Sequence, residues 1–368
     1  MSKIYLISTV GISLLRACLQ PDDRSKLFVI ANLTEDDIED RAKALVVGAV
    51  KTARERLQSA DRSALKSLSA ELNAILSYEE EFEEPPTFHH VLVVTDTFVG
   101  RQAADVLSGW LSGQGMSVEI WSIKDLRTAR GEELRLALSG IVPDLVERIE
   151  GAEDDGWRVV FNLTGGFKGI NGFLQTAAML WASETVYLFE GSEELMHIPR
   201  IPVCVDAEGD MSEQFELFRE LASGTGVPVE TVRAAKIAGS LLFEVEGTAT
   251  LSEWGRLIWK KALSEMSGRK LLASPHERIV YSDKFYRSVE GLPCDRMRLV
   301  NRAMERFAAF LNGEPAGRLN SLDFHPVKGG AKAPSTHQID AWSDKDAKRI
   351  YLHEENGAWV VDELGDHQ

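Results

Sequence analysis

The stretch Asn162-Leu163-Thr164-Gly165-Gly166-Phe167-Lys168 constrains the fold more than any other segment. Before it, Trp157-Arg158-Val159-Val160-Phe161 has the composition of a buried strand. After it, Ile170, Phe173, Leu174, Ala177, Ala178 and Leu180 recur at helical spacing. Adjacent glycines let backbone N–H groups approach an anion, a helix N-terminus adds partial positive charge, and Lys168 adds a full one. The turn therefore reads as an anion site or as an ordinary chain reversal in an αβ unit, because glycine pairs also occur where nothing binds.

Two other segments have the same grammar. Lys3-Ile4-Tyr5-Leu6-Ile7-Ser8-Thr9-Val10-Gly11-Ile12-Ser13 runs from an apolar strand through a small hydroxyl and glycine turn, and so does Val91-Leu92-Val93-Val94-Thr95-Asp96-Thr97-Phe98-Val99-Gly100. Three such turns meet along the carboxyl edge of one parallel sheet, where open α/β sheets bind ligands. None is a Gly-x-Gly-x-x-Gly fingerprint or a Gly-x4-Gly-Lys-Ser/Thr loop, which disfavours dinucleotide and ATP binding in their usual modes. The expected ligand is another phosphate-bearing molecule.

These residues, with Gly169-Ile170-Asn171 and Ser69-Ala70-Glu71-Leu72-Asn73 before an acidic, proline-containing linker, resemble CARF sensors, the CRISPR-associated Rossmann fold, over roughly residues 1–205. The resemblance implies a homodimer that binds cyclic oligoadenylate made by type III CRISPR complexes, with cyclic tetra-adenylate the expected activator and no cofactor. A twofold axis suits an even-numbered ring, since each protomer then supplies the same half-site. It also implies ligand contacts from Ser8, Thr9, Gly11, Thr95, Asp96, Thr97, Thr164, Gly165, Gly166 and Lys168. Asp96 has a second reading, as a cap of the following helix.

Length and charge point to more than a sensor. A chain of 368 residues can bury two or three cores. Its net charge of −16 argues against broad nucleic-acid binding by the whole chain, yet residues 269–368 hold 15 Lys/Arg against 15 Asp/Glu, so the excess lies before them. Five of the eight histidines fall in that balanced C-terminal part, which marks it as the expected seat of proton-transfer chemistry. Cys18, Cys204 and Cys294 are too scattered for a zinc motif or a disulfide framework, so no metal is expected. With no charged-then-apolar leader and no apolar run long enough for a membrane span, a cytoplasmic, membrane-free protein is expected.

Three domains are expected: an α/β Rossmann-like sensor over 1–208, a small winged helix-turn-helix connector over 209–270, and an α+β RelE-like toxin domain over 271–368. Residues 35–77 are helical in pattern, Glu79 to Pro86 reads as a solvated loop, Ser117 to Ile123 and Thr185 to Glu190 as strands, and Glu132 to Glu150 as a helix. In the connector, Ser212 to Ser223, Val229 to Leu242 and Leu251 to Met266 read as helices. Glu213, Glu216, Glu220, Glu244 and Glu246 make its surface unfavourable for DNA, which favours a dimerising connector.

In the C-terminal part, a strand at Glu277 to Tyr281, a helix at Cys294 to Leu311 and strands at Gln338 to Trp342, Arg349 to His353 and Ala358 to Leu364 are expected. Asn356-Gly357 supplies the positive φ angles of a tight hairpin. This order, with Leu322-Asp323-Phe324-His325-Pro326-Val327-Lys328-Gly329, His337-Gln338-Ile339-Asp340, Lys348-Arg349-Ile350-Tyr351-Leu352 and Leu364-Gly365-Asp366-His367, resembles the RelE family of ribosome-dependent mRNA interferases. The Lys-x-Lys pair of that family's basic branch is absent. The resemblance implies metal-independent cleavage of mRNA in the ribosomal A site.

Cleavage by the RNA's own 2′-hydroxyl needs a base, an acid and a cation at the phosphorane. His325, His337 and His367 are the candidate acid and base groups, Asp340 orients a histidine or serves as base, and Lys328 and Arg349 are candidate phosphate contacts. Each histidine also has a plain reading as a structural or exposed side chain, and His353 is read only as covering the sheet. The expected whole is a cyclic-oligoadenylate-activated endoribonuclease acting on the ribosome in antiviral defence. The alternatives are a sensor-controlled transcription regulator and a ring nuclease that degrades its own ligand.

Overall fold

The computed structural model describes residues 2–124, 126, 131–189, 194–200, 210–313, 322–327, 333–344 and 346–366, with the backbone alone at 131–133 and 210. The chain divides into two compact units, Met1–Val205 with Gln214–Lys260, and Asp206–Glu213 with Lys261–Gln368.

The first unit is a Rossmann-like α/β sheet. Its elements are β1 (Lys3–Thr9), α1 (Ser13–Ala17), α2 (Pro21–Ile30), α3 (Asp40–Ser59), α4 (Arg62–Leu68), α5 (Ala70–Glu79), β2 (Thr87–Thr95), α6 (Phe98–Gly113), β3 (Ser117–Ile123), α7 (Gly131–Asp154), β4 (Arg158–Asn162), α8 (Lys168–Trp181), β5 (Glu184–Leu188) and β6 (Leu195–Pro199). The sheet order is β3-β2-β1-β4-β5-β6, all parallel except β6, which pairs antiparallel with β5. Apolar runs such as Val91-Leu92-Val93-Val94 suit strands covered on both faces. Alternation divides them: Leu6, Leu92 and Val94 join the core under α1 to α6, whereas Ile7, Val91 and Val93 join the core under α7 and α8.

His90 in β2 is fully buried, stacks on Phe88 at 5.4 Å, and has no hydrogen-bond partner for either ring nitrogen among the described residues. Burial pushes its pKa down to about 4, so the imidazole is neutral.

The helical expectation for 35–77 resolves into three helices, because Asp61 and Ser69 each start a new one by accepting from the N–H groups of Ala64 and Leu72. Residues 210–260 differ more from expectation. After α9 (Asp210–Glu213) and α10 (Phe215–Ser223), a short β7 (Val227–Pro228) precedes α11 (Val229–Ala234), which ends well before Leu242. The rest of that expected helix is a 3-10 turn and β8 (Leu242–Val245), joined to β9 (Thr248–Leu251) through Glu246 and Gly247, both at positive φ. A helix would have to forgo that two-residue hairpin turn. β7, β9 and β8 form a small antiparallel sheet, and α12 (Glu253–Arg269) begins against the main sheet's core, with Leu257 buried in it and Trp254 5.4 Å from Phe173.

The second unit contains β10 (Ile279–Tyr281), α13 (Asp283–Val289), α14 (Cys294–Leu311), β11 (His325–Pro326), β12 (His337–Trp342), β13 (Lys348–Glu355) and β14 (Ala358–Asp366). The sheet order is β10-β14-β13-β12-β11, antiparallel except for the β10–β14 pair. Met297, Val300, Met304, Phe307 and Ala308 of α14 fill one core with Ile339, Ile350, Leu352 and Val361. Asn356 and Gly357 take φ of 51° and 80°, the turn that Asn-Gly implies. Asn301 is buried and closes the end of α12: its amide donates to the carbonyls of Ser267 and Lys270 at 2.8 and 2.9 Å and its oxygen accepts from the Leu272 N–H at 2.9 Å.

Among the described residues no helix is long and apolar enough to cross a membrane.

Candidate functional site

In the first unit the strand order reverses between β1 and β4, which opens a crevice between their carboxyl ends. The β4 loop folds tightly against it. Gly166 takes φ +83°, and a Cβ there would lie 2.8 Å from the Thr9 Cβ. The Thr9 hydroxyl donates to the Gly165 carbonyl at 2.7 Å, and the Asn171 amide donates to the carbonyls of Leu163 and Gly165 at 2.9 and 2.8 Å. These bonds fix the loop's carbonyls within the protein.

Glu71 is the residue that joins the two loops. Its carboxylate, 1% exposed, accepts from the Gly11 N–H at 2.7 Å and from the Ser13 and Ser69 hydroxyls at 2.6 Å each. It lies in the first turn of α5, where the helix dipole favours negative charge. A Cβ on Gly165 would fall 2.1 Å from its Oε1, so only glycine fits opposite it. The first βα turn is where a dinucleotide fold receives its pyrophosphate; here the protein's own carboxylate takes those donors.

The ten expected ligand contacts separate accordingly. Ser8, Thr9, Thr95 and Thr97 are buried, and Gly11 is engaged by Glu71. Ser8 accepts from the Asn162 amide at 3.4 Å, and Thr97 caps α6 by accepting from the Gly100 N–H at 3.2 Å while its hydroxyl meets that of Thr95 at 3.0 Å. Asp96 forms an ion pair with Arg101, and the cap of α6 is Thr97 rather than Asp96. Gly165 is buried behind the loop, whereas Thr164, Gly166 and Lys168 line an open cleft.

That cleft measures about 1170 Å³. Its cations come from separate helices: Arg16 of α1, Arg24 of α2, Arg56 of α3, Lys66 of α4 and Lys168 at the start of α8. Among the described residues no carboxylate lines it. Lys66 pairs with Glu80 at 2.5 Å, but among the described residues no acid pairs with Arg16, Arg24, Arg56 or Lys168. Arg56 and Arg24 instead donate to the carbonyls of Ala17 and Leu19 at 3.1 and 3.3 Å, which orients both guanidinium groups without neutralising them. Tyr187 and Phe189 form an aromatic wall.

In the second unit a polar cluster lies along β11, β12 and β13. His325 uses both ring nitrogens: Nδ1 lies 2.8 Å from the Asp323 carbonyl and Nε2 lies 2.6 Å from the Gln338 amide. A neutral ring that donates through Nδ1 and accepts at Nε2 satisfies both contacts. Arg349 is buried, with Asp340 in direct ion-pair contact and Asp323 at 3.9 Å. The structure thus brings His325, Asp340 and Arg349 into one neighbourhood through Asp323 and Gln338.

His337 is elsewhere. It shares the face of Ile339 and Ala341, stacks on Phe324 at 5.0 Å and meets Trp359 edge-on at 5.1 Å. Lys328 and His367, the other two expected catalytic residues, lie outside the described residues. His353 does more than cover the sheet: its Nδ1 lies 2.9 Å from the buried Asp362, which also accepts from the Ser335 hydroxyl at 2.6 Å.

Residues 66–201 match the family model described as CRISPR-associated protein (Cas_APE2256). The match indicates a CRISPR-associated protein. It spans Lys66, Glu71, the glycine loop and the aromatic pair, and stops before residues 261–368. No curated protein matches the chain significantly.

Glu71, Arg16, Arg24 and Arg56 were not legible as site residues, because each lies on a helix whose place beside the glycine loop is set by tertiary packing. Ser69-Ala70-Glu71 carried the one usable signal, a helix-capping serine with an acid two residues on.

Proposed function

We propose that the chain is a nucleotide-activated ribonuclease of type III CRISPR defence, in which the first unit is a CARF-type sensor and the second a RelE-type mRNA interferase. The observation that carries the reading is the basic cleft beside the glycine loop, lined by Lys168 at the start of α8, by Lys66 and by three arginines, with no carboxylate among the described residues of its lining. Its volume exceeds that of ordinary small-molecule pockets, which suits an oligonucleotide better than a mononucleotide. Cyclic tetra-adenylate is the proposed activator, bound by a homodimer whose protomers supply equal halves of the site.

For the second unit, the support is the sheet order with a parallel outer pair and the polar cluster about His325. In the proposed reaction a base removes the 2′-hydroxyl proton, the 2′-oxygen bonds to phosphorus, the bond from phosphorus to the 5′-oxygen breaks, and an acid protonates that oxygen. A 2′,3′-cyclic phosphate and a 5′-hydroxyl result. His325 is the proposed base, its Nε2 exchanging the Gln338 amide for the substrate hydroxyl. Asp340, Arg349, His337, Lys328 and His367 remain in the proposed set, with Arg349 fixing Asp340. Residues 209–270 are the proposed winged helix-turn-helix connector.

The test is incubation of the protein with programmed ribosomes and cyclic oligoadenylates of different ring size, with cut positions mapped against the A site. Cleavage at the A site only with ligand supports the reading; no cleavage with any ring at any site removes it.

A further inference from the structure

The cleft is more than a cation pocket. Tyr187 lies next to the last residue of β5 and Phe189 just beyond its end, both lining the cleft, with ring centroids 5.0 Å apart and planes at 87°. Phe189 is 53% exposed, one of the most exposed aromatic side chains described, although a buried strand precedes it. An edge-to-face pair leaves a ring face free of its partner, and both rings line the same cleft as Thr164, Gly166 and Lys168. A site for bare phosphate would gain nothing from an apolar wall. A nucleobase gains a stacking surface there while its phosphates meet the cations.

We infer that Tyr187 and Phe189 are the base-stacking, specificity-determining residues of the cleft, which selects oligonucleotides over base-free polyanions. This rests on the reading of the cleft as the oligoadenylate site. Phosphate contacts would then supply affinity and stacking would supply discrimination, because cations bind any polyanion whereas every base presents a π-face.

The test is calorimetry on the full chain with two probes, cyclic tetra-adenylate and tripolyphosphate. Wild type should bind the ring far more tightly than tripolyphosphate. Tyr187→Leu with Phe189→Leu should weaken the ring by about ten- to a hundredfold and leave tripolyphosphate unchanged. Lys168→Ala should weaken both. Tyr187→Phe, which keeps the ring, should retain wild-type affinity, and quenching of a ring carrying 2-aminopurine should disappear in the double variant. Equal ring affinity in wild type and double variant, with normal melting, would overturn the stacking role and leave the anion cleft intact. Tripolyphosphate binding as tight as the ring would also overturn it. Wild type that binds neither probe would remove the sensor reading and the stacking role with it.

Discussion

Glu71 accepts a hydrogen bond from the Gly11 N–H at 2.7 Å across 60 positions of sequence, tying the start of α5 to the loop after β1. The same carboxylate crowds Gly165 of the loop after β4. One buried acid therefore sets the spacing of both loops at the reversal point of the sheet. A methyl group at Gly165 must displace the Glu71 carboxylate, and with it the partner of Gly11, Ser13 and Ser69.

The first prediction is a coupling between these positions. Glu71→Ala leaves the buried Ser69 hydroxyl and the partly buried donors of Gly11 and Ser13 without their acceptor, at about 1–3 kcal/mol for the buried one and less for the others. Gly165→Ala should be strongly destabilising in wild type and much less so beside Glu71→Ala. A double-mutant cycle by denaturant unfolding measures this, and the coupling should exceed about 1 kcal/mol. Strict additivity would show that the two loops are not held by this contact.

A second prediction follows from His90. Its folded pKa of about 4 lies below the ordinary histidine value, so the neutral form is favoured in the fold. The unfolded chain takes up the proton first as pH falls. Stability from this group is thus present above about pH 6.5, declines as pH drops toward 4, and changes no further below that, for a total of about 3 kcal/mol. His90→Leu should show a smaller acid-side loss between pH 7 and 4.5 in chemical denaturation. An identical loss in both proteins would mean that His90 is not the buried neutral group.

The third prediction separates the helix-borne arginines of the cleft from its glycine loop. Arg24→Ala and Arg56→Ala should each weaken cyclic tetra-adenylate and flatten the salt dependence of its binding, as loss of a phosphate contact requires. Melting temperature should stay near wild type for Arg24→Ala, since its side chain is exposed and among the described residues makes one carbonyl contact. Unchanged affinity and salt slope in both variants would confine the ligand to Lys168 and its loop.

Much of the fold was readable because local signals agreed with packing. Val91 to Val94, the Ser117 to Ile123 strand, the Cys294 to Leu311 helix and the Asn356-Gly357 turn all appear where periodicity and turn chemistry place them. Val229 to Leu242 reads as one helix because its apolar residues fit helical spacing, while the β8–β9 turn sits at Glu246-Gly247, a weaker turn pair than Asn-Gly. β6 and β11 carry little sequence signal, because each is a short edge strand with little alternation. At the site, the glycine loop and Lys168 were legible as a contiguous motif. Glu71 and the cleft arginines depend on contacts between distant segments, which periodicity does not encode.

The fourth prediction concerns the second unit. His325→Ala should reduce cleavage by about 10²- to 10⁴-fold with melting unchanged, because the ring is partly exposed and among the described residues is bonded to Asp323 and Gln338. Arg349→Ala should instead lower stability, by about 3–5 kcal/mol, since it strips a buried guanidinium from Asp340. Single-turnover cleavage measured beside thermal melting distinguishes the two. Full activity in His325→Ala would move the chemistry away from this cluster.

The most direct measurement is single-turnover cleavage of ribosome-bound mRNA by the full-length protein, with and without cyclic tetra-adenylate, for wild type and Lys168→Ala. Wild type should cut only with ligand and leave 2′,3′-cyclic phosphate ends, and Lys168→Ala should need far more ligand for the same rate. Equal cutting with and without ligand, or an unshifted ligand requirement in Lys168→Ala, would contradict a cleavage activity governed through the basic cleft.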